Sequence, residues 1–318
     1  MITLKDSELI LESLLTQRDC WEISQIDQII NKVVINFPFE SDETDMINSI
    51  LDRVKQYYKP TKELIITEEN RDTFEEEINK ISRFEDLHIQ LRCPIPKIRL
   101  DKKIKLRSIW IFSPESLHFL NNIESVAYLR LAELNKKCEF VLPFNIGELE
   151  IFGTFYDDSI FNNTIINKIR LTGGSTIALE GIANTSNLYE LEIFKNSRVD
   201  ERSLNFINEI PSIKYLMLDY LPKIQDFRWL HNNELRFLYI GFLSKLGSLN
   251  GLENNKKLTR IAFYRGLENL FMNLLKLKQI DFLYTSDNLY NKIAELKKSF
   301  LIDNRFNKNI IYKRIVNT

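Results

Sequence analysis

The chain has 318 residues, 44% hydrophobic and 27% charged, with 43 Lys/Arg against 44 Asp/Glu and a formal net charge of -1, which excludes a disordered, collagen-like or membrane-bundle chain. Three cysteines, Cys20, Cys93 and Cys138, are too few and odd in number for a disulfide framework, and no apolar run approaches the ~20 residues of a membrane span. The opening MITLKDSELILESLL has no basic flank followed by an apolar stretch, so the expectation is a cytoplasmic chain, neither exported nor inserted in a membrane.

The first part of the chain reads as helical. Met46/Ile47, Ile50/Leu51, Val54 and Tyr57/Tyr58 form a stripe between Ser41 or Asp42 as N-cap and Pro60 as stop. Residues 6–17 and 72–81 read the same way, the latter through Phe74, Ile78 and Ile81. Residues 1–81 hold 18 Asp/Glu against 9 Lys/Arg, giving -9, which leaves 26 against 34 and +8 for the rest. Two units with different surfaces explain that split, and so does plain surface solvation.

Beyond this region the period changes. The pattern apolar-x-x-apolar-x-apolar occurs ten times, starting at Phe84, Leu106, Val126, Ile146, Ile166, Leu188, Ile213, Leu235, Leu258 and Leu277, with starts 19 to 25 residues apart. Chance does not hold that register through so long a stretch. An incomplete copy precedes it at Leu64 and Ile66, matched to Leu87 and Ile89. Second halves keep a period of three, as in Leu117/Leu120/Ile123, Ile224/Phe227/Leu230 and Leu246/Leu249/Leu252, which suits a 3-10 turn returning behind the core. After Tyr284 come Leu289, Ile293, Leu296 and Phe300, read as a closing helix, and IIYKRIV (Ile310 to Val316), read as a last strand.

The stretches LGSLNGLENNKKLTRIAF (Leu246 to Phe263) and STIALEGIANTSNLYELEI (Ser175 to Ile193) resemble leucine-rich repeats of the short bacterial kind. The resemblance implies an α/β solenoid, a horseshoe with a parallel concave sheet, closed by helical caps at both ends. The boundaries read as an acidic helical cap over 1–60, the repeat solenoid over 61–283 and a basic cap over 284–318. One departure stands out, because the turn Asn of the family is matched by Asn196 alone. The other turn amides then need other partners or water.

No HExxH, CxxC, GxxxxGK(S/T) or GxSxG pattern is present, and His88, His118 and His231 fall in different repeats. His88 and Cys93 are a weak thiol-and-base pair, since five residues along a strand and turn send side chains different ways. No Leu-Pro-x-Glu opening supports an F-box adaptor. The expectation is therefore a chain with no enzymatic activity, cofactor or metal.

Alternate strand residues face opposite sides, so residues between the apolar positions should line the concave sheet. The middle column reads His88, Trp110, Arg130, Glu150, Arg170, Glu192, Met217, Tyr239, Ala262, Asp281. With its flanking columns it supplies the expected partner-binding residues Trp110, Phe112, Tyr128, Arg130, Glu150, Phe152, Arg170, Glu192, Phe194, Tyr215, Phe237, Tyr239 and Tyr264. Aromatic anchors favour a protein interface, while packing of the rings on one another is the alternative. Alternating signs across neighbouring strands predict lateral ion pairs. The face counts seven acidic residues to four basic, which disfavours nucleic acid and favours a basic protein partner. The expected function is thus a protein-protein interaction module, monomeric when unbound, and more narrowly a bacterial immunity protein sequestering a toxin. An effector acting on a host protein, an enzyme with a convergent site and a self-associating scaffold stay open.

Overall fold

A computed structural model of the chain describes residues 62–264 apart from 82–83, 85–86, 101, 135–139, 155–157 and 174–178, a few positions from 270 to 280, and the backbone of six strands outside that span. Three of those strands, β1 (Ile2–Lys5), β2 (Glu8–Leu11) and β3 (Lys32–Ile35), form a sheet of their own, antiparallel between β1 and β2 and parallel between β2 and β3. Glu8–Leu11 is thus extended within the 6–17 stretch read as helical. The segment ELIL alternates as well as it spirals, and neighbouring strands supply ladder partners. The helical stripe from Met46 to Tyr58 lies outside the described residues.

The main sheet starts at β4 (Lys62–Ile66), followed by a 3-10 turn (Arg71–Thr73) and the short helix α1 (Phe74–Asn79), which buries Phe74 and Ile78 as the sequence predicts. Then come β5 (Leu87–Leu91), β6 (Ile104–Ile111), β7 (Ile123–Leu134), β8 (Asn145–Gly153), β9 (Ile165–Thr172), β10 (Glu190–Phe194), β11 (Tyr215–Asp219), β12 (Phe237–Gly241), β13 (Arg260–Tyr264), β14 (Phe282–Thr285), β15 (Phe300–Asp303) and β16 (Ile311–Ile315). Ten successive parallel pairings join β4 to β14 in chain order. β16 and then β15 close the order antiparallel. Phe300, read as part of a closing helix, is therefore in a strand, the expected strand at Ile310 to Val316 is β16, and the rest of the closing helix lies outside the described residues. The architecture is an open solenoid with a parallel sheet, which fits the fold class that the repeat pattern predicts.

Strands in this position are buried on the core side by identical neighbours. Ile66, Leu91, Ile111, Leu131, Ile151, Leu171, Ile193, Leu218 and Ile240 stand in register across nine strands, all buried. Each such side chain is worth about 1.5–3 kcal/mol of burial. The back of the core is filled by 3-10 turns at Pro114–Asn122, Asp158–Phe161, Glu180–Asn184, Asn205–Glu209 and Leu252–Asn254. The period of three predicted there is realised even outside regular 3-10 turns. Leu246 donates its amide to Leu243, Leu252 to Leu249, and Leu230 to Phe227.

The register differs from the sequence reading at both ends. Ile89 pairs with Ile109 and Leu91 with Ile111, so β5 is displaced by two residues from the frame that put Leu87 opposite Ile109. Leu64 accordingly pairs with Ile89, and Ile66 with Leu91. At the other end Ile261 pairs with Leu283 instead of Ile280. In the corrected middle column Gln90, not His88, stands beside Trp110, and Tyr284 replaces Asp281 beside Ala262.

Side-chain caps of another kind stand at the other end of the repeat, where the chain enters the strand. Asn196 does accept from the amides of Arg198 and Val199 at 3.1 and 3.3 Å. Asn232 Nδ2, however, donates to the carbonyls of Ile207 and Ile210 at 2.8 and 2.9 Å, and Asn255 Nδ2 to those of Leu230 and Gly251 at 2.9 and 3.3 Å. Thr164 and Thr185 donate their hydroxyls to the carbonyls of Phe161 and Ile182 in the same way. These groups satisfy turn carbonyls that burial would otherwise leave bare.

Candidate partner-binding face

On the face opposite the apolar ladder, β7 to β10 carry the alternating charges in register: Arg130 beside Glu150, Glu150 beside Arg170, Arg170 beside Glu192, and Lys168 between Glu148 and Glu190. Lys168 Nζ lies 2.6 Å from Glu190 Oε1, 2.5 Å from Glu192 Oε1 and 3.8 Å from Glu148 Oε1. Arg170 Nε donates to Glu192, and its Nη1 is 3.7 Å from Glu150 Oε1. Tyr128 donates its hydroxyl to Glu150, and Arg130 Nε lies 3.7 Å from the same carboxylate. Glu150, Lys168, Arg170 and Glu192 are all buried. The predicted lateral ion pairs are thus present, and they are drawn out of water.

Burial alone would raise the Glu192 carboxyl, but Lys168 and Arg170 outweigh it and hold the group well below the carboxylate range. Burial, reinforced by Glu150, pushes the Tyr128 phenol far up. A depressed carboxyl contributes stability that is complete above its ordinary value of 4.5 and is lost as pH falls through the folded value. Wild-type chain is therefore expected to lose thermal stability steadily below about pH 4.5. The Glu192→Gln variant should follow a shallower slope there in a melting series, and parallel slopes would remove the network from the acid response.

The aromatic residues divide into two groups. Tyr215 and Phe237 are buried, their ring centroids 6.3 Å apart, and Tyr189 abuts Tyr215 at 6.5 Å. Trp110, Phe112, Tyr128, Phe152, Phe194 and Tyr239 are half-buried and keep atoms in contact with solvent. Trp110 meets His88, Phe112 and Tyr128 edge to face. The Arg130 guanidinium lies over Trp110 at 5.2 Å and over Phe152 at 4.5 Å, with 29% of its side chain exposed. Tyr264 is in β13, and its side chain is outside those described.

Of the expected binding residues, then, Trp110, Phe112, Tyr128, Arg130, Phe152, Phe194 and Tyr239 present surface. Glu150, Arg170, Glu192, Tyr215 and Phe237 are buried. The acid excess shrinks too, because Glu148, Glu150, Glu190 and Glu192 each face a cation, and Asp219 is the face carboxylate without an ion pair among the described residues.

The sequence reading missed a pair at the outer rim. Tyr220 and Phe242 follow β11 and β12 immediately and stack at 4.3 Å with 22° between planes, Tyr220 being 43% exposed. Tyr220 and Lys195 both take left-handed backbone just past their strands, at φ 52°. The repeated position one residue beyond the strand was the available signal.

The thiol pair is not assembled for chemistry. His88 Nδ1 is 2.5 Å from Ser108 Oγ, and burial raises the Cys93 thiol. No group of three His, Cys, Asp or Glu among the described residues could hold a metal, and no helix there is long and apolar enough to cross a membrane.

No family model matches the chain, and no curated protein matches it. Among solved structures it is similar to an internalin from Listeria monocytogenes, with TM-score 0.39 and 12% identity over 86% of this chain and 85% of that one. The fold assignment stands on the repeat register and the parallel pairings themselves.

Proposed function

We propose that the chain is a protein-protein interaction module that grips a partner protein on the sheet face spanning β6 to β12, without catalysing a reaction. The observation that carries this reading is the row of half-exposed rings from Trp110 to Tyr239, held on a rigid ladder with Arg130 clamped between two of them. Large side chains fixed in advance lose little entropy on binding, and Trp, Tyr and Arg dominate interface energetics. Within this reading, the finer proposal is a cytoplasmic chain, monomeric when unbound, that sequesters a basic toxin as its immunity protein. Support for a basic partner rests on Asp219, the face carboxylate with no ion pair among the described residues.

The test begins with capture of a partner from source lysate and its identification by mass. Trp110→Ala and Tyr239→Ala are each expected to weaken its binding by about 2 kcal/mol or more, roughly thirtyfold in Kd, with little change in thermal midpoint. Unchanged affinity in both variants would move the site off this face. A captured toxin neutralised by the chain would support the immunity reading, and any other partner would retire it.

A further inference from the structure

We propose that the rim of the sheet at Asp219 is the seat for a single cationic side chain, arginine or lysine, of the protein partner, received between the carboxylate and the rings of Phe194, Tyr239 and Tyr220. The proposal rests on the reading of this face as a protein interface, and it names the chemistry of one contact.

Asp219 ends β11, with Phe194 as its register partner on β10. On the other side stands β12, where Gly241 has no side chain. A Cβ there would run into the Asp219 carboxylate, and the ring edge of Tyr239 comes to 3.1 Å from the same point. The carboxylate therefore leans over the glycine, against the tyrosine ring. Just past it the chain turns in left-handed backbone at Tyr220, whose ring stacks on Phe242 and stays exposed. The result is a half-buried carboxylate with Phe194 beside it on the neighbouring strand, the Tyr239 ring edge next to it and the Tyr220 ring at the rim, its Oδ1 lying in the space that a side chain at Gly241 would take.

No cation among the described residues forms an ion pair with this group. Asp219 Oδ1 is buried without a hydrogen-bond partner, and Asp219 makes no salt bridge among the described residues. The charged group that faces it is Lys195, which acts from beyond contact distance, and the Tyr220 amide offers its N–H. Burial outweighs both and raises the carboxyl above its ordinary value. A cation arriving at this place regains the Coulomb energy that burial has cost, and a neighbouring ring adds cation-π attraction within about 6 Å, as the Phe194 ring already does for the Arg170 guanidinium at 5.7 Å. Glu148, Glu150, Glu190 and Glu192 lack this capacity, because Lys168, Arg170 and Arg130 already face them.

The chemistry can be tested without the partner. In chain labelled with 13C at aspartate carboxyls, the Asp219 signal is assigned by its loss in Asp219→Asn and titrated against pH with N-acetylarginine amide and with its neutral isostere N-acetylcitrulline amide. The expected result is a midpoint lowered by about one pH unit at saturating arginine amide, equivalent to about tenfold tighter binding to the charged carboxylate, and no movement with the citrulline compound. The response should be lost in a Phe194→Leu, Tyr239→Leu variant that keeps the wild-type melting temperature, and retained in Lys195→Met. An unmoved midpoint with arginine amide, an equal shift with citrulline amide, or a full response without the rings overturns the proposal. Because the probe is a small molecule, such a failure leaves the Trp110→Ala and Tyr239→Ala affinities as an independent test of the face.

Discussion

Replacement of Lys168 by methionine is expected to lower the stability of the chain by about 3–5 kcal/mol, read as a lower urea midpoint at an unchanged m-value. The lysine is buried among Glu148, Glu190 and Glu192, and Glu192 is itself buried. Removing the ammonium leaves Glu192 with Arg170 alone and leaves Glu190 and Glu148 facing an apolar side chain. The double variant Lys168→Met, Glu192→Gln should recover part of the loss, because both members of the closest pair are gone, with a coupling of about 1 kcal/mol or more in the cycle. A loss below about 1 kcal/mol for the single variant would mean that the pairs behave as solvated surface pairs.

The second large effect is expected at Gly251. Its φ is +103°, and a Cβ there would run into the Phe227 carbonyl and the Cα of Arg228 in the preceding repeat. Gly251→Ala combines left-handed strain with a backbone collision that no side-chain rotation relieves, and should cost about 3 kcal/mol or more. Asn255→Ala, which strips a donor from the buried carbonyls of Leu230 and Gly251, should cost about 1–3 kcal/mol. Since Asn255 bonds Gly251 directly, the two losses should add to less than their sum in denaturant melts. Strict additivity would place the two substitutions in separate rungs.

Most of the fold was legible because the core imposes one repeating demand. From Leu106 to Phe263 the apolar triplet admits a single frame, and the parallel pairings follow it. At β5 the segment LHIQL offers Leu87, Ile89 and Leu91, all buried, so two frames differing by two residues satisfy the same pattern. The helpful apolar start at Phe84 pointed to the wrong one. At β14 the true frame puts Thr285 at the third position, so a composition rule prefers the neighbouring triplet. The charged face was legible as pairs but not as burial. Alternating signs forecast which residues touch, whereas the loss of water depends on long side chains lying flat across adjacent strands. The stacking of Tyr220 on Phe242 was legible only as a repeated position one residue past a strand: there the backbone hand decides where a ring points, and Tyr220 takes a hand that its residue type does not announce.

Strand length is unevenly distributed along the solenoid. β6, β7, β8 and β9 have eight, twelve, nine and eight residues, while β10 to β13 have five each. In a nearest-neighbour array the work of local opening grows with the ladder shared by adjacent strands. The long strands, which also carry Arg130 and most of the buried charges, are expected to open last. The short ones bearing Asp219 and Tyr239 share fewer ladder bonds and are expected to open at lower cost, while the rings they carry stay in register. A partner laid across both would meet a fixed jaw at Trp110 and Arg130 and an adjusting one at Asp219, which permits orientation to be set at one end and fit to be completed at the other.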